Sequence, residues 1–265
     1  SAVSVSPAPP RITTSARLST GVGSLLTMAR NWPRRAIVLA GAALRLEFGR
    51  GPKPDRVREL LGRLDQMYPG ATCALKHGNA WELLVATVLS AQCTDVRVNM
   101  VTPGLFRKYP TVSDFAALRP ELLEPDIRST GFFRNKAKAI VGAAKKIVSD
   151  FSSKIPQTME ELVQLPGVAR KTANVVLGTA FGKATGIVVD THVDRVSHRL
   201  DLSRQKDPFK IELDLMKIIP QEKWIEFSHQ LIWHGRMRCV ARKPKCSECL
   251  LDSLCYAPDK WKPGR

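Results

Sequence analysis

The sequence predicts a mostly α-helical protein, and three features support this fold class. From about Pro54 onward, apolar residues recur at three- and four-residue spacing in one segment after another, which is the period of an amphipathic helix. Thr158, followed three residues later by Glu161, has the pattern of a helix capping box. Signals for β-strands are scarce, because residues 186–189 form the only β-like run and that run is short.

The predicted helices follow one another along the chain. The first, over residues 55–67, carries its apolar residues on one face. The second, over residues 80–89, is almost wholly apolar and is expected to be buried. A helix begins after Thr158, and further helices are predicted over residues 136–151, 171–181, 192–200, 211–219 and 224–234.

The charge of the chain indicates a polyanionic partner. Its 265 residues are enough for one large or two small domains. With 41 lysines and arginines against 24 aspartates and glutamates, the formal net charge is +17. Nucleic acid is the usual partner of so basic a protein. A membrane surface is the alternative, although no apolar segment is long enough to span a bilayer.

Residues 1–52 differ in composition from the rest of the chain. They contain seven arginines, no lysine and a single acidic residue, Glu47. Ser, Thr, Pro and Ala dominate the first part, and this composition favours a disordered basic tail. An organelle targeting extension is one alternative. Another is a true start at Met28, from which the apolar stretch after Arg34 and Arg35 faintly resembles a signal peptide.

Four cysteines near the C-terminus predict a metal centre. They lie within seventeen residues in a C-x6-C-x2-C-x5-C arrangement, at Cys239, Cys246, Cys249 and Cys255. Thiolates select zinc or an iron–sulfur cluster. A zinc ribbon usually has two C-x2-C pairs, whereas this chain has one.

The six-residue loop between the first two of these cysteines is basic. Arg242, Lys243 and Lys245 lie in it, and they are expected to bind phosphates. The two remaining cysteines, Cys73 and Cys93, are distant from the cluster in sequence. We expect both to be reduced core thiols, which fits a reducing cytosol or nucleus.

A tight turn between two helices is predicted at residues 165–170, which read Leu-Pro-Gly-Val-Ala-Arg. Pro166 disfavours helical backbone in the residue before it, Gly167 permits a tight turn, and a second helix begins near Arg170. Backbone N–H groups at the start of a helix form a site for a phosphate. A plain corner between two helices is the alternative reading.

Lys171 and Asp190 are the candidates for chemistry. A lysine amine is a nucleophile only when it is neutral, and we expect Arg170, the helix N-terminus and burial of the loop to lower its pKa. A carboxylate at Asp190 can move protons and stabilise a developing cation. The alternatives are that Lys171 is another phosphate contact and that Asp190 caps the helix that follows it.

Taken together, these segments resemble the endonuclease III family of helix-hairpin-helix DNA glycosylases. The matching segments, in chain order, are Ser-Ala-Gln-Cys-Thr-Asp at 90–95, the turn at 165–174, Val-Asp-Thr-His at 189–192 and the four-cysteine loop. The resemblance covers roughly residues 54–257.

This resemblance implies a two-lobed helix-hairpin-helix glycosylase fold with a C-terminal [4Fe-4S] cluster loop. A six-helix bundle with the hairpin is expected over residues 73–184. The second domain is expected to be discontinuous, formed by residues 54–72 and 185–257, and residues 258–265 form a C-terminal tail.

The resemblance also implies roles for individual residues. Lys171 corresponds to the family's Schiff-base lysine and Asp190 to its essential aspartate. Gln92 matches the glutamine that fills the gap left by a flipped-out base, and Phe132 stands where a wedge residue, often leucine, presses between bases. The four cysteines match the ligands of a [4Fe-4S] cluster. The other expected DNA contacts are Leu165, Pro166, Gly167, Val168, Ala169, Arg170, His192, Arg242, Lys243 and Lys245.

Two residues depart from the family pattern. Ala169 replaces a glycine that is common in the hairpin, and its methyl group is expected to be tolerated if φ is negative there. Phe132 is larger than leucine, so the preference for the opposite base is expected to differ.

The activity implied by the resemblance is base excision repair. The chain is expected to flip oxidised pyrimidines out of double-stranded DNA, remove them, and cut the strand 3′ to the abasic site by β-elimination. A monomer is expected, in the bacterial cytoplasm with the nucleoid, or in a nucleus or organelle if the source is eukaryotic. Alternatives are a monofunctional adenine glycosylase, which lacks the lysine, and a non-enzymatic DNA-binding module with structural zinc.

Overall fold

A computed structural model of the protein describes residues 50–260, so residues 1–49 of the predicted basic tail, and residues 261–265 at the C-terminus, lie outside the described residues. Within residues 50–260 the chain forms eleven α-helices and four short 3-10 helices and contains no β-strand. The prediction of a mostly α-helical fold is therefore confirmed. No helix in this part of the chain has the length and apolar character needed to cross a membrane.

The helices are short and closely connected, and the predicted ones all form with ends shifted by at most three residues. In chain order they are α1 (Pro54–Met67), α2 (Ala80–Leu89), α3 (Asp95–Lys108), α4 (Val112–Ala117), α5 (Pro120–Ile127), α6 (Phe133–Phe151), α7 (Met159–Leu162), α8 (Arg170–Phe181), α9 (Thr191–Arg199), α10 (Pro208–Ile218) and α11 (Trp224–Met237).

Three helices, α3, α4 and α5, form where no helix was predicted. Pro103 lies inside α3 and Pro125 inside α5, and internal prolines normally end a helix. Helix α4 has only six residues, and a reciprocal cap between Thr111 and Asp114 holds its start. With α7, these helices bring the number of α-helices within residues 73–184 to seven.

Two local predictions are corrected by the structure. Residues 186–189 do not form a strand, because they run as an extended segment between α8 and α9 with Ile187 and Val189 buried. Their apolar character therefore reflects burial rather than strand pairing. At Thr158 only half of the capping box forms, since Glu161 binds the threonine hydroxyl instead of its backbone N–H.

The helices pack around two separate apolar cores. The first core lies between Leu75 and Leu177 and is formed by α2 to α8, with Phe115 fully buried in it. The second core contains residues of α1, of the segment from Ile187 onward and of the C-terminal loop, with Phe227 fully buried. The chain thus contributes to the second core both before and after it builds the first.

Arg56 joins the beginning of the chain to its end within the second core. The side chain is fully buried, and its guanidinium donates to the carbonyl oxygens of Leu200 and Leu254 and to Gly51 O at 2.8 Å. Burial lowers the pKa of this guanidinium below its usual range. The arginine therefore works as a fixed internal donor that connects α1, the end of α9 and the cysteine loop.

Replacing Arg56 with methionine keeps much of the apolar stem but leaves buried carbonyl oxygens without a donor. We expect the free energy of unfolding to fall by about 2 kcal/mol, because each unsatisfied buried polar group costs roughly 1–3 kcal/mol. Arg58→Met is the matched control, since Arg58 is exposed and its one ion pair in the described part of the chain is with exposed Asp55. Urea denaturation of both variants measures the difference, and equal losses would show that the internal hydrogen bonds contribute nothing.

Candidate active site

The predicted hairpin forms a tight turn at residues 165–168. The Val168 N–H donates to Leu165 O at 3.1 Å, and Pro166 and Gly167 occupy the two central positions. Gly167 has φ +76°, which a type II turn requires and glycine adopts without strain. A β-carbon at Gly167 would lie 2.5 Å from Ala139 Cβ. The turn therefore needs glycine both for its backbone conformation and for its contact with α6.

Helix α8 begins directly after this turn with its first N–H groups uncapped by any side chain. Ala169 is the N-cap residue, with φ −90° and ψ 169°, so the alanine methyl is accommodated as expected. Arg170 is paired with buried Glu212, since its Nε and Nη2 donate to the carboxylate at 2.8 and 2.9 Å. Asn174 donates to the same carboxylate at 2.9 Å.

Lys171 is the second residue of α8 and is exposed. The expectation that the hairpin loop buries its amine is therefore wrong. The charge of Arg170 is balanced by Glu212, so this neighbour does not supply the unpaired positive charge that was expected beside Lys171. The start of α8 remains next to the amine as a source of positive potential.

Asp190 caps helix α9, as the alternative reading proposed. Its Oδ1 accepts hydrogen bonds from the backbone N–H groups of His192 and Val193, both at 2.8 Å. Among residues 50–260, Oδ2 has no hydrogen-bond donor. The cap fixes the carboxylate through one oxygen and leaves the other for a role in the adjoining cavity.

Lys171 and Asp190 line one cavity of about 90 Å³. Helix α11 provides much of the opposite wall through His229, Trp233 and Arg236. These three residues match no sequence motif, and no role was predicted for them. They are spaced by four and three residues, which places their side chains on one face of a helix. This spacing is the feature of the sequence from which a shared site could have been predicted.

The cavity wall contains one nearly buried imidazole without a hydrogen bond in the described part of the chain. His229 is 8% exposed, and burial lowers its pKa, so the ring is neutral at physiological pH. At the rim, Arg236 pairs with Asp95 at 2.7 Å. Cys73 also lines this cavity, and burial raises the pKa of its thiol. The residue therefore belongs to the wall of the candidate site as well as packing against the first core.

His192 lies on the side of Asp190 that faces α11. A β-carbon on Gly235 would lie 2.7 Å from His192 Cβ, and Arg195 Nη2 lies 3.3 Å from the ring Nδ1. Burial lowers the pKa of His192. The ring therefore packs α9 against α11, and its predicted contact with DNA remains a prediction.

Gln92 and Phe132 share an unusual backbone conformation. Gln92 has φ +52° and Phe132 has φ +49°, and residues other than glycine rarely adopt such positive φ values. Both residues are exposed, and Phe132 is 62% exposed despite its apolar ring. Such strain is found most often at functional sites.

The basic loop projects from the four-cysteine segment. Arg242, Lys243 and Lys245 are exposed, and within the described residues none of them forms a salt bridge with a carboxylate. Lys243 has φ +53°, and the Lys245 N–H donates to Arg238 O at 2.9 Å. The loop thus holds three unpaired positive charges at the surface.

The four cysteines line a second small cavity, together with Arg199 and His234. Arg199 Nη1 lies 3.4 Å from Cys239 Sγ, and His234 Nε2 lies 3.8 Å from Cys249 Sγ. Burial raises the pKa of Cys249 to about 12 and lowers that of His234 to about 4. Four soft thiols that line one cavity are the ligand type of a thiolate-bound metal centre. Within residues 50–260, no three His, Cys, Asp or Glu side chains form a group arranged to hold a single metal ion.

Comparison with known proteins gives matches over most of the described residues. Residues 85–221 match the family model of HhH-GPD superfamily base excision DNA repair proteins. Endonuclease III of Synechocystis sp. is 57% identical over 203 residues, which are 77% of this chain and 93% of that protein.

Two solved structures are also similar, each with 47% identity and a TM-score of 0.74 over 77% of this chain. One is a non-covalent Endonuclease III–DNA complex, of which 95% is covered. The other is a trapped Endonuclease III–DNA covalent intermediate in an estranged-adenine complex, of which 96% is covered. The chain belongs to the HhH-GPD superfamily and, within it, to the endonuclease III family. The resemblance inferred from the sequence motifs is confirmed.

Substitutions of Asp190 separate its capping role from any chemical role. Both Asp190→Asn and Asp190→Ala remove the carboxylate, but only the second removes the cap. Asparagine caps a helix about as well as aspartate, so Asp190→Asn should change the free energy of unfolding by less than about 0.5 kcal/mol. Asp190→Ala removes the acceptor and should cost about 1 kcal/mol. Urea denaturation measures both, and equal destabilisation would contradict the cap.

Proposed function

We propose that this protein is a bifunctional DNA glycosylase of base excision repair, with lyase activity at abasic sites. The observation that carries the proposal is the cavity that Lys171 and Asp190 both line, where, among the described residues, one carboxylate oxygen of Asp190 has no hydrogen-bond donor. Family membership supports it, as does the relative described as a trapped covalent intermediate with DNA.

In the proposed reaction, the damaged nucleotide leaves the duplex and its sugar reaches the cavity, because a base inside the stack is inaccessible. Asp190 Oδ2 accepts a proton from the Lys171 ammonium. The neutral amine then attacks C1′ of the deoxyribose, the bond from C1′ to the base breaks, and the base leaves with the electron pair. The proton then passes from Asp190 to the departing base, and the carboxylate that this restores stabilises the positive charge on the sugar.

The lyase step follows from the bond between Lys171 and the sugar. Opening of the sugar ring gives a Schiff base, which makes the C2′ proton acidic. Loss of this proton and departure of the 3′ phosphate cut the strand by β-elimination. Hydrolysis of the Schiff base then returns the free amine.

DNA recognition is assigned to two groups of residues. Gln92 and Phe132 are exposed on strained backbone, and we assign them to filling the gap and to wedging between bases. The uncapped start of α8 and the basic loop are assigned to the phosphates, because both present positive potential at the surface. The residues of these two phosphate contacts are Leu165, Pro166, Gly167, Val168, Ala169, Arg170, Arg242, Lys243 and Lys245, and His192 is assigned beside Asp190.

The substrate class we propose is double-stranded DNA that carries oxidised pyrimidines or abasic sites. A damaged pyrimidine stacks poorly and leaves the helix more easily than an intact one. We further propose that the enzyme acts as a monomer with two domains, residues 73–184 and residues 54–72 with 185–257, which the two separate cores support. Its substrate places it with DNA, in a bacterial cytoplasm or, in a eukaryote, in the nucleus or an organelle.

We assign Cys239, Cys246, Cys249 and Cys255 as ligands of a [4Fe-4S] cluster. The support is the set of four thiols around one cavity and the family to which the chain belongs. When bound, the cluster would hold the C-terminal loop together and need not take part in the reaction. The Arg199 side chain also holds the backbone of this loop, since its guanidinium donates to Val240 O at 2.8 Å and to Ala241 O at 3.1 Å.

Borohydride trapping on a duplex that contains one thymine glycol tests the proposed reaction. The unmodified enzyme should form a covalent protein–DNA adduct, and Lys171→Ala should form none, because the amine that makes the Schiff base is missing. Lys183→Ala is the matched control, since within residues 50–260 the ammonium group of this exposed lysine, just after α8, donates to Gln157 alone. Base release without an adduct would indicate a monofunctional glycosylase. Binding without either product would indicate a DNA-binding module.

Replacing a cysteine ligand tests the cluster assignment. Cys246→Ser should lose most bound iron and sulfide and should lower the unfolding temperature, because metal binding contributes to folding energy. Cys93→Ser is the control, since Cys93 packs against the first core and not in the cysteine loop. Iron and sulfide analysis with a thermal melt provides the readout. Zinc in place of iron in the native protein would contradict the assignment.

A further inference from the structure

Lys136 has an unusual environment for a lysine. It lies in the first turn of α6 and is only 5% exposed. Its Nζ donates to Leu89 O and to Thr130 O, each at 2.8 Å. Within the described residues it forms no salt bridge with a carboxylate. A buried cation that is held only by backbone carbonyls is costly to place and requires a reason.

Both carbonyl acceptors lie at the C-terminal ends of helices. Leu89 is the last residue of α2, and Thr130 is the last residue of the 3-10 helix Arg128–Thr130. The final carbonyls of a helix lack intrahelical donors and carry partial negative charge. One ammonium group therefore caps two helix ends that are 41 residues apart in the chain.

The two helix ends lead directly into the strained residues of the candidate DNA interface. Gln92 follows Leu89 by three residues and Phe132 follows Thr130 by two. Gln92 and Phe132 are both exposed with positive φ. The intervening backbone is therefore too short for either residue to move far without moving the carbonyl that Lys136 binds.

We propose that Lys136 is a positioning residue that couples the Gln92 loop to the Phe132 loop, so that both side chains enter the DNA helix as one unit. This inference rests on the proposed function, in which Gln92 fills the gap and Phe132 wedges between bases. Because Lys136 is buried and its ammonium donates to Leu89 O and Thr130 O, we assign it no contact with DNA or with the reacting atoms. Burial lowers the pKa of Lys136. The proposed role depends on the two hydrogen bonds from its side-chain nitrogen to the carbonyls.

The alternative is that Lys136 only stabilises the first core. A structural lysine would affect folding, but it would not change how Gln92 and Phe132 depend on each other. The distinguishing quantity is therefore the coupling between these two residues and not the stability of the protein.

A double-mutant cycle measures this coupling. Affinity for a duplex with a stable abasic-site analogue is measured for Gln92→Ala, Phe132→Ala and the double variant, in the unmodified background and in Lys136→Met. In the unmodified background, the double variant should bind at least about threefold more tightly than the product of the single losses predicts, because coupled residues are non-additive. In Lys136→Met the losses should multiply. Equal coupling in both backgrounds would overturn the proposal.

Three further variants keep the test decisive. Lys145→Met removes an exposed lysine from the same helix and should leave the coupling unchanged. Lys136→Arg keeps a cationic donor for both carbonyls and should retain the coupling. Lys136→Gln has a shorter side chain that cannot reach both carbonyls and should lose the coupling, so it decides the question if Lys136→Met does not fold. Loss of coupling in Lys145→Met, or in a folded Lys136→Arg, would contradict the proposal.

The same variants distinguish this inference from the proposed function. Borohydride trapping at saturating abasic DNA should remain in Lys136→Met, because Lys171 lies on a different helix. Absence of an adduct in the unmodified enzyme would defeat the proposed function. Normal adducts together with unaltered coupling would defeat only the role of Lys136.

Discussion

The candidate active site depends on the close contact between the Pro166–Gly167 turn and helix α6. A β-carbon at Gly167 would meet Ala139, and one at Gly142 would lie 3.2 Å from Pro166, so the turn rests on α6 with almost no space between them. This contact sets where α8 begins and therefore where Lys171 lies. The same helix α6 starts at the exposed Phe132. One helix thus positions the candidate nucleophile and the candidate wedge.

Several buried or nearly buried cations bind backbone carbonyls. Arg56 binds the carbonyls of Leu200 and Leu254, and Lys136 binds those at the ends of two helices. Arg199, whose side chain is 10% exposed, binds the carbonyls of Val240 and Ala241 in the basic loop and also pairs with Asp259. Part of the large positive charge of the chain therefore stabilises helix ends and loops. The exposed remainder is what a polyanion encounters.

Local patterns in the sequence predicted the parts of this protein that local chemistry determines. The amphipathic helices, the turn at Gly167 and the cap at Asp190 all follow from residue type and spacing, and all are present. Helices α3 and α5 did not follow, because Pro103 and Pro125 interrupt their patterns and packing on the first core overrides the interruption. Helix α4 did not follow because its six residues are too few to show a helical period.

Long-range contacts were not predictable from the same patterns. The pairing of Arg170 with Glu212 joins residues 42 positions apart, and it reverses the expectation that this arginine acts on Lys171. The wall of the cavity formed by α11 was missed for the same reason, since its residues become neighbours of Lys171 only when the two cores pack together. Residues 186–189 read as a strand because burial favours the same residue types as pairing.

The cap at Asp190 makes the candidate site sensitive to the length of the segment between α8 and α9. Successive residues of an α-helix are rotated by about 100° from one another. If α9 began one residue earlier, the carboxylate would become an ordinary helical side chain, and its remaining oxygen would turn away from the cavity. The number of residues between Gly182 and Asp190 therefore determines the geometry of the candidate site as much as the aspartate itself does.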